Sequence, residues 1–247
     1  MIVCSDQEID EMQAVVADFE QRVTEVSEYL RMLKALDRPD AVIRSQSKAS
    51  YKATPVEDDW RTVSKATVYL LIYNLVEAAI RSAFGELYET IAREGRSLQS
   101  VSTEIRDTWI VSEHRKLTRE TASPEKYRES AARMVLAALD QTVVRLEASR
   151  LPVSGNLDAD NIRQVCRNHG VGVGVHRAAR GGIDLEIVKR QRNALAHGNR
   201  SFSEVGREVT VDDLVRTARQ AEIFVRGILK NVEKHIAGNG YARAGAP

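Results

Sequence analysis

The chain has 247 residues, 43% of them hydrophobic and 29% charged, so it can bury a core and does not have the composition of a disordered polymer. Five prolines, fourteen glycines and an aromatic content of 5% are fewer than a strand-rich fold calls for, which points to helices. A formal net charge of +1 gives no whole-molecule attraction to nucleic acid, so any such binding must come from a local basic patch.

The first expected element is a helix over residues 6 to 36, with apolar positions at Ile9, Met12, Val15, Val16, Phe19, Val23, Val26, Leu30 and Leu33. Ser5 and Glu8 are spaced as a capping box, and Asp37-Arg38-Pro39 marks the stop. The narrow stripe suits a helix packed on its own domain, a docking arm or half of a coiled coil. Residues 44 to 58 are polar and poor in branched apolar side chains, and read as an exposed linker. The most hydrophobic segment, Val63 to Ala83, reads as a core helix extending through Leu87 and Ile91.

A shorter helix is expected over Leu98 to Leu117, and another from Ser123-Pro124-Glu125 through Leu146. Leu151 to Gly155 reads as a loop and Asn156 to Arg167 as a short capped helix. The following GVGVG at 170–174 lacks the Lys-Ser/Thr and the preceding strand of a phosphate loop, and reads as a flexible loop. Glu186 to His197 is expected to be helical and to end at Gly198, and Thr210 with Asp213 opens a last helix running to about His235. This gives an N-terminal helix with a polar linker over 1–50, a helical domain over 51–237 and a flexible tail over 238–247. The fold class is all-α.

Cys4 and Cys166 make neither a metal-ligand spacing nor a disulfide framework, and read as free thiols in a reducing compartment. The N-terminus turns acidic within a few residues and is not a signal peptide, and no stretch is expected to cross a bilayer. A cytoplasmic protein without membrane contact is the expectation. His114, His169 and His176 sit in no ligand spacing and read as surface residues, and no metal or other cofactor is expected.

Chemistry concentrates in Glu186 to Gly198, EIVKRQRNALAHG. On a helix, Ile187, Val188, Gln191, Ala194 and Leu195 fall on one face within roughly 120° of arc, which goes to the core. Asn193 and His197 stack one turn apart on the other side, and Arg192 can bring its guanidinium round from the core edge. Cleavage of RNA without a metal needs a proton taken from the 2′-hydroxyl and one given to the 5′-oxygen, and imidazole can do either. The phosphorane between them carries extra negative charge, which a guanidinium stabilises through its fork of donors. An amide such as Asn193 can orient the phosphate or hold the imidazole tautomer. The plainer reading is a helix C-terminus in which His197 favours the negative dipole end and Arg192 is a solvated charge.

The stretch RNALAHG followed by SFSEVGR resembles the HEPN superfamily, in particular its MAE-type branch of ribonuclease toxins. That motif is an Arg, four to six residues, then a His, with a polar residue commonly after the Arg. Arg192, Asn193 and His197 fit its shortest spacing. Tyr69 to Arg81 resembles the branch's first core helix and Ser154 to Val171 its middle segment, so the likeness spans roughly Val63 to Val232.

The resemblance implies an up-and-down helical bundle, here with an extra N-terminal helix, that dimerises so that two Arg–His sets share a cleft. It implies a metal-independent endoribonuclease, the toxin of a toxin–antitoxin or phage-defence system, with a cognate antitoxin as partner. Glu77 matches a position where the superfamily often keeps a polar residue facing the active site, and is otherwise part of an exposed stripe. Arg81 can pair with it one turn on. Lys189, Arg190, Arg200 and Arg207 surround the motif and could line a phosphate groove for RNA. Two rival readings stand beside this one: a catalytically silent RNA-binding or assembly module, and a partner or target of a nucleotidyltransferase.

Overall fold

The most apolar run of the sequence makes the central helix of the structure, a computed structural model that describes residues 6–47, 50–119, 123–139, 142–153, 155–243 and 245. In chain order the described elements are α1 (Asp6–Leu36), β1 (Val42–Ser47), β2 (Ser50–Pro55), α2 (Asp58–Arg93), α3 (Thr103–Arg119), α4 (Pro124–Leu139), α5 (Ala159–Asn168), α6 (Ile183–Ala196), α7 (Phe202–Arg207) and α8 (Val211–Ala237). Short 3-10 turns lie at Ala148–Arg150 and Arg177–Gly182. The chain is all-α, a helical bundle with one small hairpin.

Apolar residues on every side of α2, among them Ala66, Ile72, Ile80, Phe84 and Leu87, are buried, as expected of a helix surrounded by others. Helices α1, α6, α7 and α8 pack against it. By length and composition α2 is apolar enough to cross a membrane, contrary to the expectation that no segment would be. In this fold it is the core helix. Phe19, Val26, Leu30 and Leu33 carry α1 onto α2 and α8, so this helix packs on its own chain as one of the three readings required. Ion pairs Glu20–Arg226 and Glu11–Arg93 border that contact. The proposed Ser5–Glu8 cap, like Cys4, lies outside the described residues.

Helix ends follow the local signals. Thr210 and Asp213 make the reciprocal capping box expected at α8, and a second one, Ser201 with Glu204, opens α7. Helix α7 packs on the first turns of α2 so closely that a Cβ at Gly206 would lie 1.8 Å from the Thr62 carbonyl oxygen. Only glycine fits there.

Four expectations need correction. Residues 42–47 and 50–55 pair as antiparallel strands with Val42 opposite Pro55 and Ser47 opposite Ser50, so these parts of the polar stretch read as a linker satisfy their backbone in a ladder. Helix α4 stops at Leu139, and Val144 instead donates its N–H to the Arg96 carbonyl at 2.7 Å, which draws it into the core. Residues 202–207, between the two helices expected there and assigned no element from sequence, form α7. The tail is held through Arg243: Tyr241 is fully buried, its hydroxyl donates to Glu94, and Ser102 donates its N–H to the Tyr241 carbonyl at 2.7 Å. His169 is buried, not at the surface, because α5 ends against α2.

Candidate active site

Helix α6 presents the motif. Leu185, Val188 and Leu195 are buried, while Ile187, Gln191 and Ala194 on the expected core face are half-buried. The helix ends at His197 with the left-handed Gly198 (φ 68) next, Gly198 donating to Leu195 O at 3.2 Å and Asn199 to Ala194 O at 2.9 Å. This Schellman arrangement stops α6 at the last residue of the motif and leaves the His197 side chain in solvent.

Arg192, five residues earlier, is half-buried. Its guanidinium lies over the Tyr73 ring, 4.5 Å from the centroid, and donates through Nη1 to Asn193 Oδ1 at 3.0 Å. Among the described residues no carboxylate pairs with it. Its neighbours are an aromatic face and an amide, both neutral, so its charge is available to a ligand. Asn193 spends its side-chain oxygen on Arg192, a geometry in which it orients the guanidinium.

Tyr73 belongs to this site and was not singled out from sequence. It lies one turn before Glu77 on α2, so the spacing offered a signal, but a tyrosine in an apolar run reads as core. Burial pushes its phenol up, against the opposing Leu157 N–H, and Glu77 adds to the rise. Glu77 is half-buried and paired with Arg81, whose Nε and Nη2 stand 3.1 and 2.9 Å from Oε1. The i, i+4 pair expected on α2 is thus present, and Tyr73 stands between it and Arg192.

The surrounding cations are differently committed. Lys189 donates to Asp158 at 2.5 Å and pairs with Glu186 at 2.8 Å. Arg200 makes a two-pronged pair with Glu208 at 2.9 and 2.6 Å, and Arg207 lies 3.8 Å from Asp59. Arg190 is exposed and makes no ion pair among the described residues.

Other candidates lie apart from this cluster. A cavity of about 360 Å³ is walled by α3, α5 and the end of α2, with Tyr88 and His169 in its lining. Tyr88 is fifteen residues beyond Tyr73, about 22 Å along the helix axis. Its hydroxyl donates to His169 Nε2 at 2.6 Å, while His169 Nδ1 donates to Val165 O at 2.7 Å. Burial lowers this imidazole to about 4, so it is a neutral, satisfied core histidine. The Cys166 thiol is pushed up to about 12 by burial and is no nucleophile. Among the described residues no group of three or more His, Cys, Asp or Glu side chains gathers as a metal site.

A family model described as MAE_28990-like HEPN matches residues 12–241, from within α1 to the buried Tyr241. No curated protein and no solved structure matches the chain.

Proposed function

Since it belongs to the MAE_28990-like HEPN family, we propose that this chain is a metal-independent RNA endonuclease worked by Arg192, Asn193 and His197. The observation that carries the reading is the half-buried Arg192 guanidinium, held by neutral groups five residues before an exposed imidazole. A half-buried positive charge without a carboxylate partner is costly to keep, and a phosphate diester is the anion whose geometry matches its fork.

One imidazole takes the proton of the ribose 2′-hydroxyl, and the 2′-oxygen attacks the adjacent phosphorus. The bond from phosphorus to the 5′-oxygen breaks, that oxygen receives a proton, and a 2′,3′-cyclic phosphate and a 5′-hydroxyl remain. Arg192 meets the charge that grows on the non-bridging oxygens. Asn193 keeps the guanidinium aimed, and Glu77 with Arg81 forms the α2 side of the site. A single His197 cannot be base and acid at once, so two copies act together, each bringing its motif to a shared cleft. The protein acts in the cytoplasm as a toxin, restrained by a cognate antitoxin.

The test is cleavage of a generic RNA in EDTA by wild type and by His197→Ala at equal helicity. Cleavage by the wild type with a cyclic-phosphate end, lost in the variant, supports the proposal. Equal cleavage by both removes His197 from the chemistry. RNA binding by both with no cleavage by either makes the protein a silent RNA-binding module.

A further inference from the structure

Resting on that reading of the Arg192 site, we propose that Tyr73 is a positioning residue for Arg192, acting through the face of its ring and not through its hydroxyl. A guanidinium on a long flexible stem samples many positions in water, and an ordered one must be held by something. Here the ring of Tyr73, on the buried side of α2, lies under it at 4.5 Å.

The ring is itself fixed. Its hydroxyl donates to the Val153 carbonyl at 3.4 Å and accepts the Leu157 N–H at 3.3 Å, and the Glu77 carboxylate also acts on it. The same segment passes beside the guanidinium: a Cβ on Gly155 would lie 3.8 Å from Arg192 Nη1. Asn193 Oδ1 at 3.0 Å supplies a further restraint. Glu77, the carboxylate nearest along α2, is engaged by Arg81, which also donates to Ala148 O at 3.1 Å. Glu77 therefore does not neutralise Arg192. A ring face holds a cation without cancelling its charge, whereas a carboxylate in that place would compete with phosphate.

The experiment compares wild type, Tyr73→Phe and Tyr73→Leu by two readouts. The first is the Arg192 Nε–H resonance, assigned by its disappearance in Arg192→Lys. A guanidinium over a ring is shifted upfield, and the shift should persist in Tyr73→Phe and vanish in Tyr73→Leu. The second is turnover on RNA: Tyr73→Phe should stay within about twofold of wild type, while Tyr73→Leu should lose about tenfold in kcat, the size of a half-buried cation–ring contact. A merely structural tyrosine would lower thermal stability in both variants and leave kcat of the folded fraction unchanged. If wild type does not cleave RNA, the catalytic reading fails and the second readout becomes RNA affinity, in which Tyr73→Leu should bind about tenfold more weakly. An unshifted Arg192 resonance in wild type, or full activity or affinity in Tyr73→Leu, overturns the assignment.

Discussion

The Lys189 ammonium stands 2.5 Å from the Asp158 carboxylate, whose other oxygen accepts the Asn161 N–H at 2.8 Å and so caps α5. A side chain that suggests a phosphate ligand by its place in the motif is thereby a strut between α6 and α5. Burial disfavours the Asp158 charge, but the Asn161 N–H and the ammonium outweigh it and hold the carboxyl below its usual range. Side-chain exposures of 18% and 12% leave little solvent to screen the pair. Lys189→Ala should therefore cost about 1–3 kcal/mol, the range for removing one partner of a charged, mostly buried hydrogen bond. Urea unfolding measures it. An unchanged midpoint would show that the strut carries no load.

Acid should destabilise the protein through His169. Burial lowers its folded pKa to about 4, from the ordinary imidazole value of 6.5. The unfolded chain then binds more protons than the folded one between those two values, so stability is fully present above about pH 6.5 and is lost as pH falls toward 4. The difference is on the order of 3 kcal/mol across that window. His169→Gln removes this titration, and comparing its unfolding midpoints with wild type from pH 7 to 4.5 isolates the effect from the carboxylates. Parallel pH profiles would show that His169 is not held neutral.

Salt dependence should separate the four cations around the motif. Arg190 is exposed and without an ion pair among the described residues, whereas Lys189, Arg200 and Arg207 face Asp158, Glu208 and Asp59. Only a cation that neutralises a phosphate, and so releases the counterions condensed on the RNA, contributes to the salt slope of binding. Arg190→Ala should lower that slope by about 0.7, the single-strand increment, and the other three alanine variants should change it less. Equal slopes for Arg190→Ala and wild type would place the RNA path elsewhere.

The features legible in the sequence were those written locally. The capping box at Thr210, the stop at Gly198, the Glu77–Arg81 pair and the apolar α2 each depend on residues within a few positions of one another. The features not legible depend on distant partners. Tyr241 is held by Glu94 and Ser102, and His169 is buried by α2 across eighty-one residues from Tyr88. The site divides the same way: the Arg192–His197 spacing is visible on one helix, but the Tyr73 ring meets Arg192 only because α2 and α6 pack together.

Removing Phe19 should test whether α1 is part of the core or an appendage. Its ring is fully buried, with the Arg226 guanidinium 5.3 Å above it and the Glu20–Arg226 pair beside it. Phe19→Ala should cost about 3–5 kcal/mol, as for aromatic truncations in packed cores. At this chain length the melting temperature should fall by roughly 6–20 °C. A loss below about 1 kcal/mol, the scale of surface substitutions, would mean that α1 lies loosely on the bundle.

Arg192→Lys puts the charge argument to its sharpest test because it keeps the positive charge and removes the planar fork. An ammonium cannot donate two parallel hydrogen bonds to one phosphate, and it loses the broad face that lies over Tyr73. If the guanidinium stabilises the phosphorane, cleavage should fall by about 10²–10³, the usual loss on removing one donor aimed at developing charge. Asn193→Ala should be milder, because it releases a guanidinium that the Tyr73 ring still holds. His197→Ala should lie at or beyond the Arg192 effect, since general acid–base groups contribute about 10²–10⁴. Arg192 is only half-buried and His197 is in solvent, so none of the three should change stability by more than about 1 kcal/mol. Single-turnover cleavage in EDTA, with thermal denaturation of each variant, gives both columns of numbers. An Arg192→Lys enzyme within threefold of wild type would mean that the site needs only a point charge, and the phosphorane-stabilising role would have to be given up.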